Sequence, residues 1–482
     1  MLNEHLGAIR REPTACAPAL SALVAAAKNG KERQKIDAAC ADRSLLYQAL
    51  TQGDPKTRKN AARLLSALGK ESDAPALAKA LAKEETRFVI PSILLALGSC
   101  GGEAAIAALK NYEIPAPASV EEEKHLLEMA EAKRKALARL KTVEIPILSR
   151  LPQPRVILLT APRGFEQTLL EEVKELELPA KLHPNGVLVK TDDLNKVFLA
   201  RCFFEALYPI KKDVPLTPEA LAKAVQGELV YPYRVELRGY TGDRSALIQR
   251  FIQLAGGENN PSAYGLEVRI LAEGDQARVY IKPCNVPDRR FAYRKGALPA
   301  SIHPATAAAL VRYAARYQKK ENPAVLDACC GSGTLLFERE LLSPCKSIFG
   351  VDLAPNAVET ARVNAEAAGS EAKFIQKDLR KFTPRAPVDE IYMNLPFGNR
   401  VGNHENNEGL YRALIERLPD WLSEDGFALL YTMESNLLLK CLKHQKGLVR
   451  LEERRTEAGG LLPWVFLVGK RSESGKEPRP AQ

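Results

Sequence analysis

The sequence predicts a multidomain chain in which an all-helical N-terminal segment precedes an α+β domain and a doubly wound α/β domain. Its 482 residues exceed what one hydrophobic core usually contains. Helical segments follow one another up to about residue 142, and short β-rich runs mixed with helices begin at Val156. From Val325, apolar runs alternate with helical stretches, the order typical of a mostly parallel sheet with helices on both faces.

The N-terminal segment, residues 1–142, contains an internal repeat. The stretch DPKTRKNAARLLSALG from Asp54 is similar to EETRFVIPSILLALG from Glu84, with Arg58 aligned to Arg87 at a spacing of 29 residues. Similarity at such a period is typical of an α-solenoid, in which neighbouring helix pairs bury their apolar faces on each other. The segment resembles HEAT repeats, which implies a surface for a protein partner. A charged helix, SVEEEKHLLEMAEAKRKALARLK, and a proline-bearing linker follow it.

The composition is that of a soluble globular protein with a basic balance. Hydrophobic residues make up 46% and charged residues 27%, and no apolar run reaches the roughly 18 residues of a membrane span. The first residues lack the pattern of a secretory signal, and the nine cysteines are scattered without CxxC spacing, as in a cytosolic protein with reduced thiols. We therefore expect a cytoplasmic protein without membrane contact or metal site. The formal charge of +10 favours a polyanionic partner.

The middle of the chain, residues 155–285, mixes strands and helices. The β-rich runs VILLT, GVLVK, YRVELRG, LEVRILAEG and ARVYIKP are interrupted by the helical stretches GFEQTLLEEVKEL and RSALIQRFIQLAG. Elements of these lengths predict an α+β domain of about 130 residues.

The last domain, residues 286–472, is expected to bind a ligand beyond the carboxyl ends of its strands, as open α/β sheets do. Its first strand runs into DACCGSGT, which contains Asp327, Gly331 and Gly333. Glycines let the backbone turn sharply and approach a ligand closely. A dinucleotide fingerprint would need a third glycine at Leu336, and no Lys-Ser/Thr pair follows as in a P-loop. Both of those sites are therefore disfavoured.

Carboxylates also follow the next two predicted strands. Asp352 ends the second strand, nineteen residues after Gly333, where a carboxylate can accept hydrogen bonds from both hydroxyls of a ribose. Asp378-Leu379 ends the third strand, at a position suited to an adenine amino group. Either aspartate could instead cap a helix or close a turn. Their order at successive strand ends favours S-adenosylmethionine, with Asp327 near its sulfonium and amino-acid end.

The stretch Asn394-Leu395-Pro396-Phe397-Gly398, which follows the fourth strand, is suited to gripping a planar ring that carries an amino group. The side-chain oxygen of Asn394 and the carbonyl of Leu395 can accept hydrogen bonds from that amine and aim its lone pair at a methyl donor. Pro396 stiffens the loop and lacks a competing N–H, while Phe397 offers a stacking face. Gly398 permits a close approach. The stretch predicts an N-methyltransferase acting on an exocyclic amine.

A strip of cations precedes the glycine loop. The segment from Asn285 to Lys320 contains eight Lys/Arg residues and one acid, Asp288. Such a strip is either a solvated face or a phosphate-binding surface, and its position directly before the catalytic domain favours phosphate contacts. The predicted RNA-binding residues are Arg289, Arg290, Arg294 and Lys295.

The adjacent Cys329 and Cys330 allow a different chemistry, in which a thiolate attacks a pyrimidine ring. Their position in a loop expected to contact the cofactor argues against it, and we interpret both as small packing residues. None of the six histidines is well placed as a general base. His303 and His404 are nearest to the motifs, and we interpret both as structural or solvent-facing.

Four motifs, LDACCGSGT, VDLAPNAVETARVNA, QKDLRKF and NLPFGNRVG, resemble the methyltransferase domain of the THUMP-containing RNA guanine-N2 methyltransferases. Upstream, RVILLTAPRGFEQTLLEEV resembles the opening of the domain that precedes THUMP in that family. RRFAYRKGALPASIHPATAAALV is similar to the arginine-rich entry into the catalytic domain. The resemblance covers residues 155–470, and implies a THUMP-like RNA-binding domain at 155–285 and a Rossmann-like methyltransferase domain at 286–472. The remaining residues, 473–482, are predicted to be a disordered tail.

By that resemblance S-adenosylmethionine is the cofactor and a structured RNA, tRNA or rRNA, is the substrate. The implied cofactor-binding residues are Asp327, Cys329, Gly331, Gly333, Asp352, Asp378, Leu379 and Asn394. The implied base-holding residues are Asn394, Leu395, Pro396 and Phe397.

Three hypotheses for the function remain open. The favoured one is an RNA methyltransferase acting on guanine N2. The same loop chemistry also serves N6-adenine methylation of DNA or RNA and N5-glutamine methylation of protein, because all three acceptors are planar NH2 groups. The third hypothesis is a HEAT-repeat scaffold without catalysis. The basic strip argues against a protein acceptor, and the complete set of cofactor residues argues against a scaffold.

Overall fold

The computed structural model describes residues 2–115, 120–140, 145–299, 301–396 and 404–471. The chain divides into two compact units. The first contains Met1–Ile145, Leu229–Arg234 and Gly257–Gly265, and the second contains Pro146–Glu228, Val235–Gly256 and Leu266–Gln482. Within the described ranges, no helix combines the length and apolar character needed to cross a membrane.

The first unit is helical throughout its described N-terminal part. Its helices are α1 (Leu2–Arg11), α2 (Ala17–Ala26), α3 (Gly30–Ala39), α4 (Ser44–Gln52), α5 (Pro55–Leu68), α6 (Ala74–Leu81), α7 (Ile90–Cys100), α8 (Gly102–Asn111) and α9 (Val120–Leu140). Asp54 caps α5 by accepting hydrogen bonds from Lys56 N at 2.9 Å and Thr57 N at 3.1 Å. Gly69, with φ of +62°, ends the same helix. The α-solenoid and HEAT-like assignment of residues 1–142 stays a prediction.

The second unit begins with a seven-stranded sheet in the order β2-β3-β1-β4-β7-β6-β5. Its strands are β1 (Arg150–Thr160), β2 (Ala180–His183), β3 (Gly186–Asp193), β4 (Ala206–Pro215), β5 (Tyr233–Arg238), β6 (Leu266–Glu273) and β7 (Gln276–Pro283). Its helices are α10 (Glu166–Glu175), α11 (Leu194–Val197), α12 (Pro218–Ala224) and α13 (Arg244–Ala255). The mixed α/β character agrees with the sequence, whereas the THUMP-like assignment of residues 155–285 stays a prediction.

The second sheet of this unit has the order β10-β9-β8-β11-β12-β14-β13. Its strands are β8 (Ala324–Asp327), β9 (Ser347–Asp352), β10 (Lys373–Gln376), β11 (Val388–Asn394), β12 (Leu422–Thr432), β13 (Leu448–Arg455) and β14 (Trp464–Lys470). The helices are α14 (Pro304–Ala314), α15 (Thr334–Leu342), α16 (Pro355–Ala368), α17 (His404–Trp421) and α18 (Ser435–His444). The first five strands in this order pair in parallel, and β14 pairs antiparallel with both β12 and β13, so the predicted Rossmann-like sheet is confirmed.

The strand order of this sheet determines where a ligand can bind. The chain runs outward from β8 through β9 to β10 and then returns to the other side of β8 as β11. Ligands of open α/β sheets bind at such a switch point, beyond the carboxyl ends of the strands. Asp327, Asp352 and Asn394 are the last residues of β8, β9 and β11. Three predicted site residues therefore lie at one edge of the sheet.

Candidate active site

The glycine loop between β8 and α15 leaves part of its backbone uncovered. Asp327 Oδ1 accepts a hydrogen bond from Cys329 N at 2.9 Å, which starts the turn. Gly333 has φ of +81°, and a Cβ there would lie 2.7 Å from the Phe337 ring, so glycine is required. Gly331 also has a positive φ, +52°, but its missing Cβ would point into open space. The backbone at Gly331 is therefore accessible to a ligand.

The Asp352 side chain is oriented by two backbone N–H groups. Its Oδ2 accepts a hydrogen bond from Gly331 N at 2.8 Å, and its Oδ1 accepts one from Ala354 N at 2.9 Å. The side chain is only partly buried. Because a carboxylate oxygen has two lone pairs, each oxygen can accept a further hydrogen bond, as a ribose diol requires. The contact to Gly331 also joins the two predicted cofactor motifs directly.

Asp327 lies in an environment that disfavours its negative charge. The residue is 1% exposed, and burial raises the pKa of its carboxyl group well above the ordinary value, with a further contribution from the Asp352 carboxylate. A cationic group beside the two carboxylates would favour their charged forms. The ammonium and sulfonium groups of S-adenosylmethionine are such cations, so the two carboxylates at this edge fit that cofactor.

Asp378 closes a turn in this structure. Its Oδ1 accepts a hydrogen bond from Arg380 N at 2.9 Å, and its Oδ2 lies 2.6 Å from Arg380 Nη2. The hydrogen bond from the guanidinium lowers the pKa of Asp378. The neighbouring Leu379 is buried in the core. The Asp378 side chain therefore closes a turn, which is one of the two roles that the sequence allowed. The contact of Asp378 with an adenine amine stays a prediction.

The two loop cysteines are placed as packing residues. Burial raises the pKa of both the Cys329 and the Cys330 thiols well above the ordinary value, and the Asp327 charge adds to the effect. A thiol with a raised pKa carries little thiolate at neutral pH. The environment therefore argues against a nucleophilic role for either residue.

The predicted base-binding stretch starts at the strand end next to the glycine loop. β11 pairs with β8 on one side and with β12 on the other, which brings Asn394 to the same edge as Asp327. Asn394 is half-buried and Leu395 is fully buried. Leu395 N donates a hydrogen bond to Tyr431 O at 2.9 Å and so extends the pairing with β12 by one residue. The backbone that carries the Leu395 carbonyl is therefore fixed.

A buried tyrosine supports the next residue of the stretch. Tyr411 OH donates a hydrogen bond to Pro396 O at 3.1 Å and lies 2.5 Å from Thr432 Oγ1. Tyr411 comes from α17 and is fully buried, so helix and strand together hold the start of the loop. The predicted stacking residue Phe397, and Gly398 after it, lie outside the described residues.

The predicted cation strip consists of a buried and an exposed part. Arg290 is 7% exposed, pairs with Asp288 at 2.7 Å, donates to Phe203 O at 2.8 Å and lies 3.6 Å from the centre of the Phe203 ring. These contacts engage the Arg290 guanidinium inside the protein, and its contact with phosphate stays a prediction. Phosphate contacts stay a prediction for the remaining members, Arg289, Arg294 and Lys295, of which Arg289 and Lys295 are exposed.

The sequence analysis missed Asn364, a fully buried amide on α16 that ties two site segments together. Its Oδ1 accepts a hydrogen bond from Gly296 N at 2.9 Å, and its Nδ2 donates to Gly296 O and to Ser332 O, each at 3.0 Å. The segment before α14 is thereby attached to the glycine loop. Asn364 follows Ala361 on the apolar face of the helix, and an amide on that face was the available signal.

Glu338 was missed as well, although it lies one turn into the helix that follows the glycine loop. It is 2% exposed and accepts hydrogen bonds from Arg201 Nε at 2.7 Å and from Tyr293 OH at 2.6 Å. Arg201 Nη2 also donates to Arg290 O at 2.6 Å. The first sheet of the second unit is thus connected to the glycine-loop helix through a buried carboxylate.

Comparisons with known proteins agree with this geometry. Residues 291–463 match the UPF0020 family, described as an RMKL-like methyltransferase domain. The chain is similar to the ribosomal RNA large subunit methyltransferase K/L of Psychromonas ingrahamii, with 24% identity over 219 residues, which covers 36% of this chain and 28% of that protein. The chain spans only 20% and 28% of the lengths of the first two curated relatives that it matches.

Solved structures with the same fold cover more of the chain. TrmN from Thermus thermophilus is 26% identical, with a TM-score of 0.53 and coverage of 65% of this chain and 99% of that one. SMU.472, solved in complex with SAH, is 18% identical, with a TM-score of 0.54 and coverage of 67% of this chain and 100% of that one.

The resemblance of the four motifs to a methyltransferase domain is confirmed by the family match, which includes the glycine loop, Asp352 and Asn394. The match also indicates S-adenosylmethionine as the cofactor. Residues 291–463 of this chain thus match the RMKL-like methyltransferase domain that describes the UPF0020 family.

Proposed function

We propose that this protein is an S-adenosylmethionine-dependent RNA methyltransferase that modifies the N2 amine of guanine in tRNA or rRNA. The observation that carries the proposal is the meeting of Asp327, Asp352 and Asn394 at the carboxyl ends of β8, β9 and β11. An RNA substrate is supported by the similarity to a ribosomal RNA methyltransferase and to TrmN. The exposed Arg289 and Lys295 add positive charge next to the same domain.

The cofactor would supply a methyl group bound to a positively charged sulfur. Asp352 would accept hydrogen bonds from its ribose, because both carboxylate oxygens are oriented by backbone N–H groups and keep a free lone pair. Gly331 would allow the cofactor to approach the loop, since no atom of the described residues lies within 4 Å of a Cβ placed at that position. Asp327 would face the cationic end, where its own charge is otherwise disfavoured.

Asn394 and Leu395 would hold the acceptor amine. The lone pair of an exocyclic amine is delocalised into the base, so the amine is a poor nucleophile until two acceptors pull it towards tetrahedral geometry. The side-chain oxygen of Asn394 and the carbonyl of Leu395 are the two acceptors, and the hydrogen bond to Tyr431 O fixes the Leu395 backbone before the base arrives. Such positioning can supply roughly 7–11 kcal/mol of the barrier. The acceptor base must leave its stack to reach them.

The proposal is tested by following labelled methyl groups from S-adenosylmethionine into unmodified tRNA transcripts and ribosomal RNA, with digestion to nucleosides. We expect N2-methylguanosine, formed at a strongly reduced rate by an Asn394→Ala control. Detection of N6-methyladenosine instead would support methyl transfer to an exocyclic amine but would identify adenine, not guanine, as the acceptor base. Absence of label from both RNAs, with the wild-type protein shown to bind the cofactor, would reject RNA methylation and favour the protein-acceptor or scaffold hypotheses.

We expect Asp352→Ala to weaken binding of S-adenosylmethionine about 10²–10⁴-fold. A hydrogen bond to a charged acceptor is worth about 1.5–3 kcal/mol, and the variant removes two of them together with the support of Gly331. Titration calorimetry of the full-length protein measures the change. Asp352→Asn keeps one acceptor oxygen and the size of the side chain. Its Kd for S-adenosylmethionine should lie between those of the wild type and of Asp352→Ala. An unchanged Kd in a folded Asp352→Ala protein would exclude the residue from the cofactor site.

A further inference from the structure

Helix α5 of the first unit has a row of cations on its exposed face. Lys56, Lys59 and Arg63 are spaced by three and four residues and therefore share one face of the helix. Lys56 and Arg63 are exposed and Lys59 is partly exposed. Within the described part of the chain, none of the three takes part in an ion pair, although other cations of the unit do. Their charge is thus available to a partner.

The neighbouring Arg58 shows how the same helix uses a cation for structure. Its guanidinium makes two hydrogen bonds to Glu84, at 2.7 and 2.8 Å, and a third to Gly53 O at 2.8 Å. The Glu84 side chain is only 3% exposed. A cation that stabilises this fold is therefore paired with a buried carboxylate, and the exposed row on α5 has no such role.

The basic surface continues across two further helices. Ser66, three residues after Arg63 on the same face of α5, has its Oγ 2.9 Å from Ser99 Oγ on α7. Ser99 Oγ in turn accepts a hydrogen bond from Arg139 Nη1 on α9 at 2.8 Å. Arg139 is exposed, and it donates hydrogen bonds to Ser99 Oγ and to the Leu95 carbonyl, both uncharged. We call Lys56, Lys59, Arg63 and Arg139 the α5 surface.

An aromatic side chain accompanies these cations. Phe88 is 38% exposed, and Lys59 Nζ lies 5.5 Å from the centre of its ring. Proteins that bind single-stranded nucleic acids combine a basic groove along the backbone with aromatic rings on which bases stack.

We propose that the α5 surface binds the phosphate backbone of the RNA substrate, with Phe88 available to stack on an unpaired base. The inference rests on the proposed RNA methyltransferase function and adds a second RNA contact, on the first unit. Charge complementarity carries it: four cations that pair with no carboxylate among the described residues share one surface with an exposed aromatic ring. The protein partner expected from the HEAT-like sequence would find few apolar side chains on this face.

The test compares two charge-matched triple variants of the full-length protein, with end-labelled, deproteinised bulk tRNA as the probe. We expect Lys56→Gln/Lys59→Gln/Arg63→Gln to raise the Kd about tenfold. We also expect it to lower the slope of log K against log salt by about 2–3, because three phosphate contacts are lost. Arg33→Gln/Lys79→Gln/Lys110→Gln removes the same charge from exposed positions on α3, α6 and α8. It should leave the Kd within about twofold. Lys56→Arg/Lys59→Arg should bind as the wild type does.

The outcomes separate this inference from the proposed function. Equal affinity of wild type and the α5 variant, or equal weakening by both triple variants, overturns the α5 surface as an RNA site. A wild-type protein that binds tRNA through the α5 surface but methylates no RNA would leave the surface assigned and reject the enzymatic proposal. If the wild-type protein methylates RNA and the α5 variant binds tRNA as tightly as the wild type, the enzymatic proposal stands and the α5 surface is overturned as an RNA site.

Discussion

Asn394→Ala is expected to lower kcat for methyl transfer to RNA about 10²–10³-fold. Asn394 is the last residue of β11 and would provide the side-chain acceptor that orients the reacting amine. Removing one preorganised hydrogen-bonding group from a reacting centre typically costs this much, or about 2.7–4 kcal/mol. The affinity for S-adenosylmethionine should change much less, because Asp352 and the glycine loop hold most of the cofactor. Single-turnover methylation with saturating cofactor and RNA measures the effect.

Two matched variants keep this result interpretable. Asn394→Asp keeps an acceptor oxygen in a side chain of the same size, so it should retain more activity than Asn394→Ala. Tyr411→Phe removes the hydrogen bond to Pro396 O while leaving the ring in the core, and it should lower kcat by a smaller factor. A folded Asn394→Ala protein with kcat within threefold of the wild type would remove Asn394 from the reacting centre.

The parts of the site that sequence could predict are those set by local chain chemistry. Apolar runs of strand length that end in a carboxylate or an amide place Asp327, Asp352 and Asn394 at strand ends, and parallel strands bring those ends to one edge. Gly333 was predictable because a sharp turn after a strand favours glycine. Its positive φ in the structure is a conformation that other residues rarely adopt. Each of these residues has a role determined by its own strand or turn.

The parts that sequence could not predict depend on which element packs against which. Arg290 looked like an exposed phosphate ligand, but the ring and carbonyl of Phe203, in the loop before β4, contact its guanidinium. Asn364 acts through a backbone segment 68 positions away. β13 was missed because LVRLEERR is an edge strand rich in charge and lacks the apolar run of a central strand. The partners of Arg290 and Asn364 therefore follow from tertiary packing and cannot be identified from the residues next to them in the chain.

A second large effect concerns the ion pair between Arg339 on α15 and Glu390 on β11. Their side chains are 0% and 1% exposed, with Nε 2.5 Å from Oε2 and Nη2 3.0 Å from Oε1. Tyr392 OH donates a further hydrogen bond to Glu390 at 3.0 Å. α15 starts at the glycine loop and β11 ends at Asn394, so the pair joins the supports of the cofactor and base sites. Arg339→Met should destabilise the domain by about 3–5 kcal/mol, because it leaves a buried carboxylate without its cation.

The double variant Arg339→Met/Glu390→Gln determines which part of the interaction matters. Desolvating two charges offsets most of their attraction, so removing both should recover more than half of the loss. The chain has two tryptophans, Trp421 and Trp464, and both belong to this domain. Their fluorescence during urea unfolding therefore reports directly on the unfolding of this domain. If the double variant were as unstable as Arg339→Met, the geometry of the side chains between α15 and β11, and not the unpaired charge, would account for the stability.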